Sequence, residues 1–379
     1  MRVLLTGGRA PVTLDLARLF HAAGHTVLIA ESIAWPLARF SRTVARFYAV
    51  PPPRFQPEAF IQALLDIICT EQIDLLLPTC EETFYVALGR EALAAYCQVP
   101  VESIERLHRL HHKGEFVQLA RSLGLLVPET VLLTAPDDVQ LLDPFEPFVL
   151  KPVYSRFATQ TLIKPDHTTL TDLPITADQP WLAQQFIAGR HLCTYSLAYR
   201  GRLALHSAYA VEFRAGAGSA ISFETCDHPG ALAWVRCLVE ALSFTGQIAL
   251  DFIETPQGEL FAIECNPRAT SGLHLFGDQP EISYAFFGAT GPLLTPAPGQ
   301  RAILSLPLLL YGPRQIGSLA DLARWTALLF AGRDVLWQSG DPWPWLLQGL
   351  PLLNLLFWRY RHKLDLLSAS TYDIEWNGP

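Results

Sequence analysis

The stretch Gly246–Gly272, GQIALDFIETPQGELFAIECNPRATSG, reads as two strands joined by a tight turn. Side chains alternate faces along a strand, so Ala249, Asp251 and Ile253 share one face of the first. Ala262, Glu264 and Asn266 share one face of the second. With Gln257-Gly258 as a two-residue loop and Gly258 supplying its positive φ, paired residue numbers sum to 515. That register sets Asp251 opposite Glu264, with Asn266 two residues further along. Three hard oxygen donors then converge on a site suited to Mg²⁺ (or Mn²⁺) and the phosphates it bridges. A slip of one residue would scatter them. Phe261, Ile263 and Cys265 point the other way, into a core. The alternative is an ordinary hairpin with polar residues facing water. The Ala, Ile and Phe among those polar residues, and Pro267-Arg268 directly after them, favour the metal site.

The surrounding chain has 379 residues, enough for two or three domains, each with its own core. Half of it is apolar and 17% charged, the mark of a globular protein. A formal charge of −8 without a basic stripe argues against nucleic acid as a main partner. Cys69, Cys80, Cys97, Cys193, Cys226, Cys237 and Cys265 form no CxxC pair, which suits reduced thiols and a cytoplasmic location. The amino terminus, MRVLLTGG, enters a strand at once and lacks the regions of a signal peptide. Near the other end, Trp343–Trp358 (WPWLLQGLPLLNLLFW) is about four residues short of a membrane span and carries Pro, Gly, Gln and Asn. The RYRHK cluster from Arg359 suits an interfacial helix over 343–363; a buried helical cap explains the same pattern. Lysine is scarce: 113, 151, 164 and 363 only, leaving 28 − 4 = 24 arginines. A chain that uses arginine almost everywhere keeps lysine where a compact ammonium is needed, which points to Lys113 and Lys151.

Val3–Thr6, Thr26–Ala30 and Ile73–Pro78 read as strands. Helices are expected at Pro11–Ala23, with Pro in its first turn, at Pro57–Cys69 and from Glu81. This βαβ rhythm predicts a small parallel sheet covered by helices, residues 1–112. After a helix near Glu102–Leu110 comes an α+β portion, 113–300. It holds a helix at 114–124, strands at Phe148–Val153 and Trp181–Phe186, a meander through Cys193–Tyr209, and a helix at Pro229–Leu242 before the hairpin. Residues 301–379 read as a helical, Leu/Trp-rich extension. The opening TGGRAP invites a dinucleotide site with Glu31 on a ribose. The G-x-G-x-x-G fingerprint is absent, however, with no glycine between Gly8 and Gly24, and Pro11 lies where a helix should offer N–H groups to pyrophosphate, so a nucleotide-free α/β domain that helps wall a substrate cleft is preferred.

Taken in order, Lys113, FVLKPV with Lys151, AQQFIAG with Gln184–Gly189, ALDF with Asp251 and ECNPR with Glu264–Arg268 resemble the ATP-grasp superfamily. The resemblance covers about residues 1–300, and its NPR ending is most similar to the carbamoyl-phosphate synthetase and biotin carboxylase branch. It implies a pre-ATP-grasp domain followed by two α+β subdomains (the lid about 115–187) gripping ATP, and acyl-phosphate chemistry. Lys113 and Lys151 would then reach the phosphates from different sides, neutralising charge that develops in phosphoryl transfer. Gln184, Gln185, Phe186 and Ile187 resemble the hinge that binds adenine through its backbone, with Phe186 or Ile187 on the ring face. Asp251, Glu264 and Asn266 match the metal ligands. Arg268 would grip the transferred phosphoryl group. The chain departs from the pattern in two places. The loop after Lys151, VYSRFATQT, has no glycine, leaving Ser155, Arg156 and Thr159 as substitutes; and His191 stands where an acid commonly holds the ribose. Arg214 opens a loop, RAGAGSA, that could approach phosphates or the second substrate. Ser271, Gly272 and His274 are placed to face an acceptor, and His274 is a candidate proton acceptor. DIEWNG near the end has no evident account. The resemblance implies an ADP-forming ligase joining a small-molecule carboxylate to an amine or other nucleophile. A bicarbonate-dependent carboxylase or carbamoyl-phosphate-type enzyme, and a non-catalytic ATP-binding protein, are the competing readings.

Overall fold

The computed structural model describes residues 1–142, 147–156, 160–165, 173–216, 218–277 and 279–378. Its first sheet is parallel, in the order β3-β2-β1-β4: β1 (Arg2–Thr6), β2 (Thr26–Glu31), β3 (Val44–Ala49) and β4 (Leu75–Leu77). Val3, Leu4 and Leu5 are fully buried, as strands covered on both faces must be. Pro11 opens the helix Pro11–Ala22, where its missing N–H costs nothing. The edge strand β3 had no signature: VARFYA mixes charge and aromatics because it is half exposed.

A second, antiparallel sheet runs β5-β8-β6-β7, from β5 (Thr130–Leu133), β6 (Phe148–Pro152), β7 (Leu162–Ile163) and β8 (Trp181–Gln185). Leu133, Leu150, Trp181 and Ala183 form its own small core. Lys151 and Gln184 sit on this sheet.

The third sheet has seven strands, β15-β14-β9-β10-β13-β16-β17. Its members are β9 (Arg190–Tyr199), β10 (Arg202–Ala210), β13 (Ser222–Thr225), β14 (Gly246–Glu254), β15 (Leu260–Asn266), β16 (Arg301–Ile303) and β17 (Arg333–Asp334). Between β10 and β13 lies a short ribbon, β11 (Arg214–Ala215) with β12 (Ser219–Ala220). One face buries Leu192, Ile248, Leu250 and Phe252 with Trp234, Val235 and Leu238 of the helix Pro229–Leu242. On the other, Tyr195 and Leu197 share a core with Leu16 and Phe20 of the first helix, which joins the amino-terminal sheet to the large one. Residues 301–379 are therefore not wholly helical: β16 and β17 extend the large sheet, their three and two residues being too short to leave a period in the sequence. Among the described residues no helix is long and apolar enough to cross a membrane.

The decisive hairpin forms with two corrections that cancel. Ala249↔Asn266, Leu250↔Cys265 and Asp251↔Glu264 pair as expected. Nearer the turn the pairs become Phe252↔Ala262 and Glu254↔Leu260. The loop is Pro256-Gln257-Gly258: Thr255 N–H donates to the Glu259 carbonyl (2.9 Å) and Gly258 N–H to that of Thr255 (2.9 Å). Gly258 is left-handed at φ +85°. The extra loop residue offsets the register by one, and a bulge at Ile263 restores it. In consequence Ala262 joins Cys265 in the core, whereas Phe261 and Ile263 are only half-buried.

Candidate active site

Asp251, Glu264, Asn266 and Arg268 line one wall of a cleft of about 450 Å³. The same cleft is lined by Arg9, Thr79, Glu81 and His111 from the amino-terminal part, by Leu304 just past β16, and by Pro351 and Leu355 of the helix Gly349–His362. The Asn266 amide donates to Glu264 (3.2 Å), and its oxygen accepts from Arg268 (3.3 Å). Gly272 lets the following turn lie on the sheet: a Cβ there would be 2.5 Å from the Ser207 hydroxyl and 2.6 Å from Tyr195.

Both lysines are buried beside this wall but do not line the cleft. Lys113 opens the helix Lys113–Ser122, its Nζ 3.7 Å from Glu264 and bonded to the carbonyls of Val153 (3.3 Å) and Ser155 (3.2 Å). Lys151 donates to Gln184 Oε1 (2.9 Å) and to the carbonyl of the bulge residue Ile263 (3.0 Å). The bulge thus supplies the acceptor that seats the lysine. Burial lowers Lys151 to about 8, against the opposing pull of Glu264. Burial would raise Glu264, but Lys113 and Lys151 hold it below the usual carboxylate range.

Gln184 is buried and also donates to the Thr130 hydroxyl (3.2 Å). The N–H groups of Gln185 and Phe186 already donate, to Glu129 (2.8 Å) and Pro147 (2.9 Å). The Gln185 side chain is exposed, Ile187 half-buried, and Lys164 Nζ lies 4.3 Å from the Phe186 ring centre. His191, on the strand beside β14, stands on the face of Asp251: its candidate ligand atom lies within 4.8 Å of those of Cys193 and Asp251. Arg214 contacts His191 Nδ1 at 2.8 Å. Burial lowers the His191 pKa despite the attraction of Asp251.

In the loop after Lys151, Arg156 is committed to protein partners. It donates to Glu81 (2.6 Å) and to the carbonyl of Trp376 (2.7 Å). Thr159 lies outside the described residues. Glu31 is held by Arg9 (2.6 Å), which also pairs with Asp373 (2.6 Å). The chain end is thereby explained: Asp373, Ile374 and Trp376 are buried, and Trp376 stacks on Phe84 with centroids 5.8 Å apart. Ser271 and His274 line the cleft, with His274 Nδ1 2.7 Å from Asp15, itself bridged by Arg333 (2.9 Å).

Glu81 and His111 are cleft residues that the sequence reading did not single out. Burial would raise Glu81, yet Arg156 overrides it and holds it at about 2. Burial drops His111 to about 3, leaving a neutral ring whose Nε2 has no hydrogen-bond partner among the described residues. The signal for His111 was its place two residues before Lys113; for Glu81, its place just past a strand end.

No protein-family model matches the sequence, and no curated protein matches it. Solved structures do match in fold. An N5-carboxyaminoimidazole synthetase from Staphylococcus aureus aligns at TM-score 0.65 and 13% identity, over 82% of this chain and 84% of that one. Biotin carboxylase from Campylobacter jejuni aligns at 0.62 and 13%, over 76% and 72%. An L-amino acid ligase from Bacillus licheniformis aligns at 0.58 and 16%, over 72% and 68%. These are ATP-grasp enzymes, and the chain has their fold.

Proposed function

We propose that the chain, sharing the ATP-grasp fold, is an ADP-forming ligase that activates a carboxylate as an acyl phosphate and transfers it to an amine. The observation that carries this reading is the Asp251–Glu264 pairing, with Asn266 alongside and two buried ammonium groups behind. An all-oxygen donor set from adjacent strands fits a hard divalent cation. Two buried lysines, whose present partners are mostly carbonyls and an amide, fit an anion that would replace those weak acceptors. Asp251, Glu264 and Asn266 would hold Mg²⁺ (or Mn²⁺), which when bound neutralises phosphate charge and polarises the γ-phosphorus.

The rest falls to the chain's own groups. Lys113 and Lys151 exchange their carbonyl bonds for phosphate oxygens, and Gln184–Ile187 edge the base. A substrate carboxylate oxygen attacks the γ-phosphorus, the bond to the β-phosphate breaks, and ADP leaves. Arg268 presents a planar fork to the transferred phosphoryl group. The amine nitrogen then attacks the acyl carbon, phosphate departs, and His274, fixed by Asp15, takes the proton. Residues 1–112 and 301–379 wall the substrate end, and 113–300 handle the nucleotide. Ile33, Leu304, Pro351 and Leu355 on the cleft wall favour an organic acid with an apolar portion over bicarbonate.

ADP release from Mg-ATP across pools of carboxylic and amino acids tests the proposal. Turnover that needs one acid and one amine supports it. Turnover with bicarbonate alone assigns a carboxylase, and tight ATP binding without turnover assigns a non-catalytic protein.

A further inference from the structure

The helix Gly349–His362 has no buried residue although it is built from Leu, Phe, Trp and Tyr. Its inner side is partly engaged. Pro351 and Leu355 line the cleft, Asn354 donates to the Trp35 carbonyl (3.3 Å), and Trp358 stacks on His362 and meets Tyr372 at a tilt. Its outer side carries Leu352, Leu353, Leu356, Phe357 and Tyr360, exposed by 44, 48, 42, 57 and 91%. These positions recur at i, i+4 and i+8 and at i+1 and i+5, so they form one continuous apolar stripe. A globular surface rarely leaves such a stripe to water. Its neighbours do likewise: Trp343 and Leu346 before it, and Leu319 and Phe330 on the helix Leu319–Ala331, are exposed.

The charge beside the stripe says what covers it. Arg359, Arg361 and Lys363 are exposed at its end, and none forms an ion pair among the described residues. The exposed stripe and this end bear no acid before Asp365, whose carboxylate caps the next helix at the N–H groups of Leu367 and Ser368. A second copy packed through the same face would meet apolar residues and more arginine, with no countercharge. An anionic lipid surface supplies both an apolar layer and the missing negative charge. At 14 residues the helix is about 21 Å long, too short to span the roughly 30 Å hydrocarbon core but suited to lying along it.

We propose that the outer face of Gly349–His362 docks the protein on an anionic bilayer surface. The same helix lends Pro351 and Leu355 to the cleft, so docking sets that apolar wall about one helix diameter, roughly 10 Å, from the lipid. The inference does not depend on which reaction the cleft carries.

Sedimentation of the full chain with vesicles of phosphatidylcholine, with and without phosphatidylglycerol, tests it. Binding to the anionic vesicles is expected, at least about tenfold weaker on neutral vesicles or in high salt. The pair Leu353→Glu and Phe357→Glu should abolish it. The triple change Arg359→Gln, Arg361→Gln and Lys363→Gln leaves the apolar face intact and should weaken binding by about tenfold or more, with unaltered thermal unfolding; it is read alone if the first variant misfolds. Wild-type protein that stays in the supernatant with both vesicle types overturns the proposal, as does equal binding by wild type and the triple variant. So does a wild-type dimer that the Leu353/Phe357 pair converts to monomer in the absence of vesicle binding, which would assign the face to a second copy.

Discussion

The two walls of the cleft are made by opposite means. The wall that carries Asp251, Glu264 and Asn266 is a hairpin, built by residues 246–266 paired with each other and with β9. The other wall is assembled from segments distant in sequence. Arg9 meets Asp373, Arg156 meets Glu81 and the Trp376 carbonyl, and Trp376 lies on Phe84, contacts that span from 75 to 364 positions. Under the proposed function the first wall acts through charge placement, whereas the second wall is held by packing and buried ion pairs. Substitutions on the first should cost activity and leave stability alone, and those on the second should do the reverse.

The largest expected effect is at the proposed metal site. Glu264→Gln keeps the shape and removes the charge, and Lys151→Ala removes an ammonium. Each should lower nucleotide turnover by about 10³-fold or more, roughly 4 kcal/mol in the barrier, without loss of helix signal or of cooperative unfolding. Turnover near wild type in either variant would take that residue out of the site. Trp376→Ala should act in the opposite sense. It empties a buried site against Phe84 and Tyr85 and should cost about 3–5 kcal/mol in denaturant unfolding, with magnesium-dependent nucleotide binding retained where the protein stays folded. Asp373→Asn should cost less, about 1–3 kcal/mol, since Arg9 keeps Glu31. If Asp373→Asn leaves the unfolding midpoint in place, the strap is decoration and the contrast between the walls fails.

The same contrast governs what could be read in advance. The alternation of Asp251, Glu264 and Asn266 was legible because strand period and turn chemistry are local properties. Even there the bulge at Ile263 escaped, because nothing in ELFAIEC marks where an extra residue enters. Lys113 and Lys151 stood out through the chain's scarcity of lysine, but the carbonyls that seat them come from elsewhere in the fold. The tail DIEWNG was opaque for a stronger reason. Asp373, Ile374 and Trp376 take their meaning from Arg9 and Phe84, hundreds of residues away, and no periodicity encodes such a partner. β16 and β17 were lost in a helical reading because strands of two or three residues borrow their conformation from neighbours.

A change of pH sharpens the comparison most, because a single group beside the proposed metal site moves nucleotide affinity and stability in opposite directions. Lys151 falls from 10.5 to about 8, with burial the main cause. Below pH 8 it is an ammonium and attracts a triphosphate; above, it is neutral. Bound phosphate should restore its proton, so nucleotide affinity falls with rising pH, by at most about tenfold per unit between 8 and 10.5. In the same window, without nucleotide, the unfolded chain holds a proton that the folded protein lacks, so this group's contribution to stability grows with pH. Calorimetric ATP affinity and melting temperature, followed together from pH 7 upward, should therefore diverge. Lys151→Arg, which keeps its charge, should flatten both trends. Affinity that stays level through pH 9 in the wild type would place the lysine away from the nucleotide.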